Sequence, residues 1–241
     1  MIPLCLITGF LGSGKTTLLR NLADTHAGRG LAFLVNDFGS IDVDGALVHE
    51  ADRRVVSVAG GSIFCKCLVT EFISVLGSLP GQFDPSGVVI EASGIADPRV
   101  IRKMLEETGL DQTYDLRTVV TVVDPERFLK LLHTLPNIRY QVEAADVVLV
   151  NKVDLYPGET IEAAEAEIGK ISPGAQMRRC VRCETSIDPF ADGGGKQGDG
   201  DYALCADPNY ARFTVPGDQI SLDALRAGVT KLGDDIYRIK G

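Results

Sequence analysis

Apolar residues in this chain gather in short consecutive runs: PLCLIT (3–8), LAFLVN (31–36), RVVSV (54–58), GVVIEA (87–92), LRTVVTVV (116–123) and DVVLVN (146–151). A strand with one wet face alternates apolar and polar residues. Most of these runs are apolar on successive positions, as in strands covered on both faces of a parallel sheet. Between the runs the apolar residues recur at helical spacing. KTTLLRNLADTHAG (15–28) predicts a helix capped by Gly28, and LVTEFISVLGSL (68–79) a second. DPRVIRKMLEETG (97–109) predicts a third, with Asp97 as N-cap and Pro98 at the first helical position. Strand and helix alternate, which predicts an α/β fold with a mostly parallel central sheet flanked by helices.

The pattern breaks at DPFADGGGKQGDGDYALCADP (188–208), which is rich in Gly and Asp and has no apolar period. It predicts a flexible linker or exposed loop. Beyond it, residues 209–241 read as one more strand, helix and strand, a short β-α-β extension too small to build a core of its own. The predicted organisation is a nucleotide-binding domain over 1–187, the linker over 188–208, and the extension over 209–241.

Between the first run and the first helix lies GFLGSGKTT (9–17), which fits G-x-x-x-x-G-K-[ST] with the required strand before it and helix after it. Such a turn aims the backbone N–H groups of Gly12, Ser13, Gly14, Lys15 and Thr16 at phosphates, helped by the positive end of the helix dipole. A Cβ at Gly9, Gly12 or Gly14 would obstruct the approach or forbid the backbone angles. Lys15 is expected to reach the β- and γ-phosphates and the Thr16 hydroxyl to ligate Mg²⁺, with Thr17 beside it.

The sixth run ends in NKVD, where Asn151, Lys152 and Asp154 form an N-K-x-D sequence. A carboxylate at Asp154 accepts from both the ring N–H and the exocyclic amine of guanine, a donor pair that adenine lacks. The expected nucleotide is therefore GTP, since adenine would leave that carboxylate poorly paired. Glu91, at the end of the fourth run and three positions before Gly94, is the candidate for holding Mg²⁺ through water or orienting the attacking water. Gly94 would let its loop approach the γ-phosphate. Asp37, after the second run, is a further candidate for Mg²⁺ or a switch contact.

Composition narrows the partners. A net charge of −9 and the absence of a basic stripe oppose a broad nucleic-acid surface. No apolar run reaches the roughly 18 to 20 residues that span a bilayer and no leader pattern opens the chain, so a cytoplasmic protein that binds neither membrane nor nucleic acid is expected. In that compartment the six cysteines, Cys5, Cys65, Cys67, Cys180, Cys183 and Cys205, read as thiols or metal ligands. Cys5 lies inside the first run and reads as core. His26, His49 and His133 show no ligand spacing.

With these motifs together, the chain resembles the CobW family of P-loop GTPases over about residues 2 to 182. The likeness is carried by ITGFLGSGKTTLL, LVNDFGSIDVDG, VVIEASGIADP, TVVD, VNKVDL and ISPGAQM. It implies a GTPase whose hydrolysis drives metal delivery or metallocofactor assembly in a client protein, with a homodimer as a further partner. The family places G-C-x-C-C after the third run. Here the stretch is GGSIFCKC, with Ser62 and Phe64 at the first two cysteine positions, Cys65 at the third and Cys67 two further on. Cys65 and Cys67 are the candidate ligands for Zn²⁺ or another transition metal, with Cys180, Cys183 or Cys205 as additional donors. The resemblance also implies that residues 209–241 are only the opening of a second domain. No arginine finger is identified, so a slow intrinsic rate is expected. Two other readings stay open: a GTP-dependent protein switch or assembly chaperone with no metal site of its own, and a P-loop kinase acting on a small molecule.

Overall fold

The computed structural model describes residues 1–37, 55–59 and 69–191. Cys65, Cys67, Cys205, His49 and the extension over 209–241 lie outside the described residues, as does the side chain of Asp37. Among the described residues seven strands form one sheet: β1 (Ile2–Thr8), β2 (Leu31–Asp37), β3 (Val55–Ala59), β4 (Gly87–Glu91), β5 (Tyr114–Val123), β6 (Val147–Val150) and β7 (Gln176–Arg179). Their order is β3-β2-β4-β1-β5-β6-β7 and every pairing is parallel. The chain winds outward from β1 to β2 and β3, returns to β4 beside β1, then crosses to β5 on β1's other side. The crevice at the carboxyl end of β1 is thus where the winding reverses, the place where open α/β sheets bind ligands.

The consecutive apolar runs are explained by cover on both faces. Along β1, Leu4 and Leu6 face one layer while Cys5 and Ile7 face the other. The first layer includes Phe72, Leu76 and Leu79 of α2 (Val69–Phe83) and Val100, Ile101 and Met104 of α3 (Val100–Thr108). The second includes Leu18, Leu19 and Leu22 of α1 (Lys15–Thr25). A third group joins β5 and β6 to Phe128 of α4 (Pro125–Leu131), Ile138 of α5 (Pro136–Glu143) and Ile161 of α6 (Gly158–Ile171). Cys5 is fully buried in the second layer, and its burial pushes the thiol far up. At the sheet edge β7 is exposed along its whole length, and Arg179 pairs with Glu165 at 2.7 Å.

Two helix boundaries differ from the sequence reading. α1 ends at Thr25 with His26 as its cap, and Gly28 lies beyond, at φ +84°. α3 begins at Val100, not at Pro98, because the preceding turn closes three residues on, with the Ile101 N–H on Pro98 O at 3.3 Å. Asp97 still behaves as a cap, Oδ1 accepting from the Arg99 N–H at 3.0 Å, and its Oδ2 also accepts from Arg99 Nη2 at 2.8 Å. Residues 188–191, the start of the predicted linker, form a turn in which Thr118 Oγ1 donates to Ala191 O at 2.6 Å. Phe190 of this turn packs where a Cβ on Gly87 would stand, 2.5 Å from its ring. Among the described residues no helix is long and apolar enough to cross a membrane.

Candidate nucleotide site

Because all strands run the same way, the loops following β1, β4, β5 and β6 emerge at one edge of the sheet. The first is the glycine-rich turn. Gly9, Gly12 and Gly14 all have left-handed φ, +137°, +74° and +120°. A Cβ on Gly9 would lie 2.2 Å from Val122 O, and one on Gly14 would lie 2.5 Å from Asn151 Nδ2 and 2.8 Å from Cys183 Sγ. Gly9 and Gly14 therefore require glycine both for backbone angle and for space, and Gly12 for its backbone angle. Lys15 is buried, and its Nζ donates to Phe10 O within the same turn at 3.2 Å. Thr17 is exposed on the first turn of α1.

Glu91 ends β4 and is buried, with Oε1 accepting from Thr16 Oγ1 at 3.0 Å. The two residues predicted to share Mg²⁺ therefore already touch. The hydroxyls of Thr8, Ser13 and Ser93 are buried near them with no hydrogen-bond partner among the described residues. At Gly94 a Cβ would meet Leu11 Cδ2 at 2.6 Å and Leu11 N at 2.7 Å, so the missing side chain lets the loop after β4 press against the turn.

Asn151, Lys152 and Asp154 follow β6. Asn151 is buried and ties three segments together. Its Nδ2 donates to Ser13 O at 2.8 Å, while its Oδ1 accepts from the Cys183 N–H at 2.9 Å. Lys152 adopts φ +62° and places Nζ 2.7 Å from Asp124 Oδ2. Asp154 is exposed. The structure thus brings the turn, Glu91, Asn151 and Lys152 into one constellation, with Asp154 on the same loop facing water.

The loop after β7 closes over this edge. Arg182 and Cys183 have φ of +50° and +55°, sterically costly for residues with side chains. The conformation is held by Asn21 of α1, whose Nδ2 donates to Arg182 O at 3.0 Å and Cys183 O at 3.1 Å. Cys183 Sγ points at Gly14 O, 3.3 Å away. Cys180 and Cys183 are buried, with Cys180 Sγ donating to Asn151 Oδ1 at 3.6 Å; the interaction between the two thiols lowers the pKa of Cys180 and raises that of Cys183. Among the described residues, no three His, Cys, Asp or Glu side chains converge as a metal site.

Sequence reasoning missed three members of the site, Asp124, Tyr156 and Arg127. Asp124, at the end of β5, is almost fully buried, and its Oδ1 accepts from the Arg127 N–H at 3.3 Å and from Tyr156 Oη at 2.9 Å. Burial and then this carboxylate push the Tyr156 hydroxyl up to about 12. Arg127 itself donates from Nη1 to Leu11 O at 3.3 Å. The Asp-Pro pair at 124–125 is a helix-start signal. Nothing in the sequence shows that the same carboxylate reaches Lys152.

Residues 3–179 match the family described as CobW/HypB/UreG, nucleotide-binding domain. The chain is 31% identical over 206 residues to the zinc chaperone CobW of Pseudomonas aeruginosa, a match covering 72% of this chain and 55% of that protein. It is 35% identical over 164 residues to the zinc chaperone YeiR of Escherichia coli, covering 66% and 49% respectively. The chain thus spans about half the length of these curated relatives. The Zn(II)-bound YjiA GTPase from E. coli superposes with a TM-score of 0.59 at 26% identity, covering 80% of this chain and 62% of that one. HypB from Helicobacter pylori in complex with nickel shares the fold, with a TM-score of 0.54 at 16% identity over 78% of this chain and 80% of that one. A parallel P-loop sheet, an N-K-x-D loop bonded directly to the phosphate turn, and a family match spanning both have one reading: this chain belongs to the CobW/HypB/UreG family of nucleotide-binding domains.

Proposed function

We propose that this chain binds and hydrolyses GTP and uses the cycle to deliver a metal ion, or to assist metallocofactor assembly, in a client protein. The observation that supports this most is the direct bond from Asn151 to Ser13 O, which fixes the base-reading loop against the phosphate turn. In this reading the amides of Gly12, Ser13 and Gly14 and the Lys15 ammonium hold the phosphates, Thr17 flanks them, and Asp154 accepts from guanine N1 and N2. Lys152, anchored by Asp124, lies alongside the base.

Mg²⁺ fits the residues present. Thr16 Oγ1 and the Glu91 carboxylate are hard oxygen donors 3.0 Å apart at the foot of the turn. Thr16 would ligate the ion and Glu91 would hold it through water, with Asp37 as an additional oxygen donor. When bound, Mg²⁺ neutralises charge on the β- and γ-phosphate oxygens. The protein's own contribution is positional: the turn orients the triphosphate and Glu91 aligns the attacking water.

The transported metal is substrate, not resident cofactor. The names of CobW and YeiR describe zinc chaperones, which supports Zn²⁺ as the cargo here, with Cys65 and Cys67 as its thiolate ligands. A client metalloprotein is the partner, with a second copy of the chain as a further one. The test is Zn²⁺ affinity of anaerobically prepared protein bound to GDP or to a non-hydrolysable GTP analogue. The proposal requires a difference of at least about fivefold between the two states. Equal affinities would remove the coupling, however tight the metal.

A further inference from the structure

Two cations sit on consecutive carbonyls of the glycine-rich turn. Lys15 Nζ donates to Phe10 O at 3.2 Å, and Arg127 Nη1 donates to the next carbonyl, Leu11 O, at 3.3 Å. Lys15 belongs to the turn; Arg127 comes from α4, more than a hundred residues further along the chain. We infer that Arg127 is an arginine supplied in cis to the phosphoryl group during GTP hydrolysis, an inference that rests on the proposal that this turn holds GTP.

Three features hold the guanidinium there. Arg127 is the third residue of α4, whose start is fixed by Asp124 accepting from its N–H. Asp124 in turn is secured by Lys152 Nζ and Tyr156 Oη, so its side chain meets Arg127 through the backbone amide while the head group extends to the turn. Gly12 completes the fit: its φ is +74° and an added Cβ would stand 3.1 Å from Arg127 Nη1, so a larger residue would crowd the guanidinium.

The chemistry suits a guanidinium better than an amine. In hydrolysis, water oxygen bonds to the γ-phosphorus, and the bond from that phosphorus to the β,γ-bridging oxygen breaks. The electron pair leaves on GDP and the water proton passes to the released phosphate. Charge therefore spreads over the bridging and γ-oxygens in the transition state. A planar, permanently charged fork with five donors can keep one N–H on Leu11 O and turn others to those oxygens. Held in advance, it needs little reorganisation as the charge develops.

The test uses R127A and R127K in the full 241-residue chain. The measurements are GTP affinity, single-turnover hydrolysis, and binding of GDP with aluminium fluoride and Mg²⁺, which imitates the transferring phosphoryl group. Both variants should bind GTP within about threefold of the parent, lose hydrolysis by at least about 10²-fold and lose the fluoride complex. Free guanidinium ion should restore part of the rate to R127A but not to R127K, a rescue that a purely structural role would not give. Unchanged hydrolysis and fluoride binding in R127A would overturn the inference, as would a loss confined to GTP affinity. A parent chain that binds GTP but neither hydrolyses it nor forms the fluoride complex would overturn the inference alone. A parent that binds no GTP would overturn the nucleotide reading first. R127K, which conserves charge, keeps the test readable should R127A fold poorly.

Discussion

Asp154 is exposed on the loop after β6. A carboxylate accepts twice, which matches the N1–H and N2 amine of guanine. An amide in its place offers one acceptor and one donor, which matches the N1–H and C2 carbonyl of xanthine. D154N should therefore lose GTP affinity by about 10²-fold and gain affinity for XTP, as measured by competition against a fluorescent nucleotide. Unchanged preference would remove Asp154 from the base site. The residues legible in the sequence were those whose chemistry depends on local spacing: glycines that must adopt positive φ, a lysine beside them, and N-K-x-D after an apolar strand. Asp124, Tyr156 and Arg127 were not legible as site residues. Their contacts arise when the β5 and β6 loops meet in space, and no local period encodes that meeting.

Two helices show why element boundaries were harder to read than element types. Both α3 and α4 follow an Asp-Pro pair, at 97–98 and 124–125. Asp124 caps α4 as the sequence rule expects. Asp97 likewise accepts from the Arg99 N–H, but it also holds the Arg99 guanidinium, which pairs with Glu143 at 3.5 Å and stacks over the Tyr140 ring at 3.4 Å; the turn after it closes on Pro98 O from the Ile101 N–H, and α3 begins two residues late. For Asp124 two substitutions separate cap from anchor. D124N keeps an oxygen to accept from the Arg127 N–H but lacks the charge for Lys152, so GTP affinity should fall about tenfold with little change in stability. D124A should in addition lose about 1 kcal/mol in urea unfolding. A D124A variant as stable and as tight-binding as the parent would contradict the network.

At the scale of the molecule, the two-sided sheet was legible because both layers demand apolar residues at successive positions, and the six runs became β1 to β6; β7, the exposed edge strand QMRR, has no apolar run to signal it. The alkaline limit of the fold reflects the same burial. Burial pushes Tyr114 up to about 12 from an ordinary 10.0, and its hydroxyl donates to Leu76 O at 2.7 Å. A raised value in the folded state means that the folded chain holds this proton more tightly than the unfolded chain. Its contribution is therefore fully present below pH 10 and is lost as pH rises from about 10 to 12. Y114F should be less stable than the parent by about 1 kcal/mol at pH 8, and the gap should close by about pH 11 and reverse beyond it in parallel thermal melts. A gap that is constant across that range would contradict the assignment.

To act as proposed, the chain must grip a triphosphate and distinguish guanine from adenine in one pocket. Calorimetric titration of the chain with GTP and with ATP, each with Mg²⁺, tests this most directly. Saturable binding of GTP, at least about 10²-fold tighter than ATP and abolished in K15A, is the predicted result. No heat with GTP, or equal affinity for the two nucleotides, would contradict it.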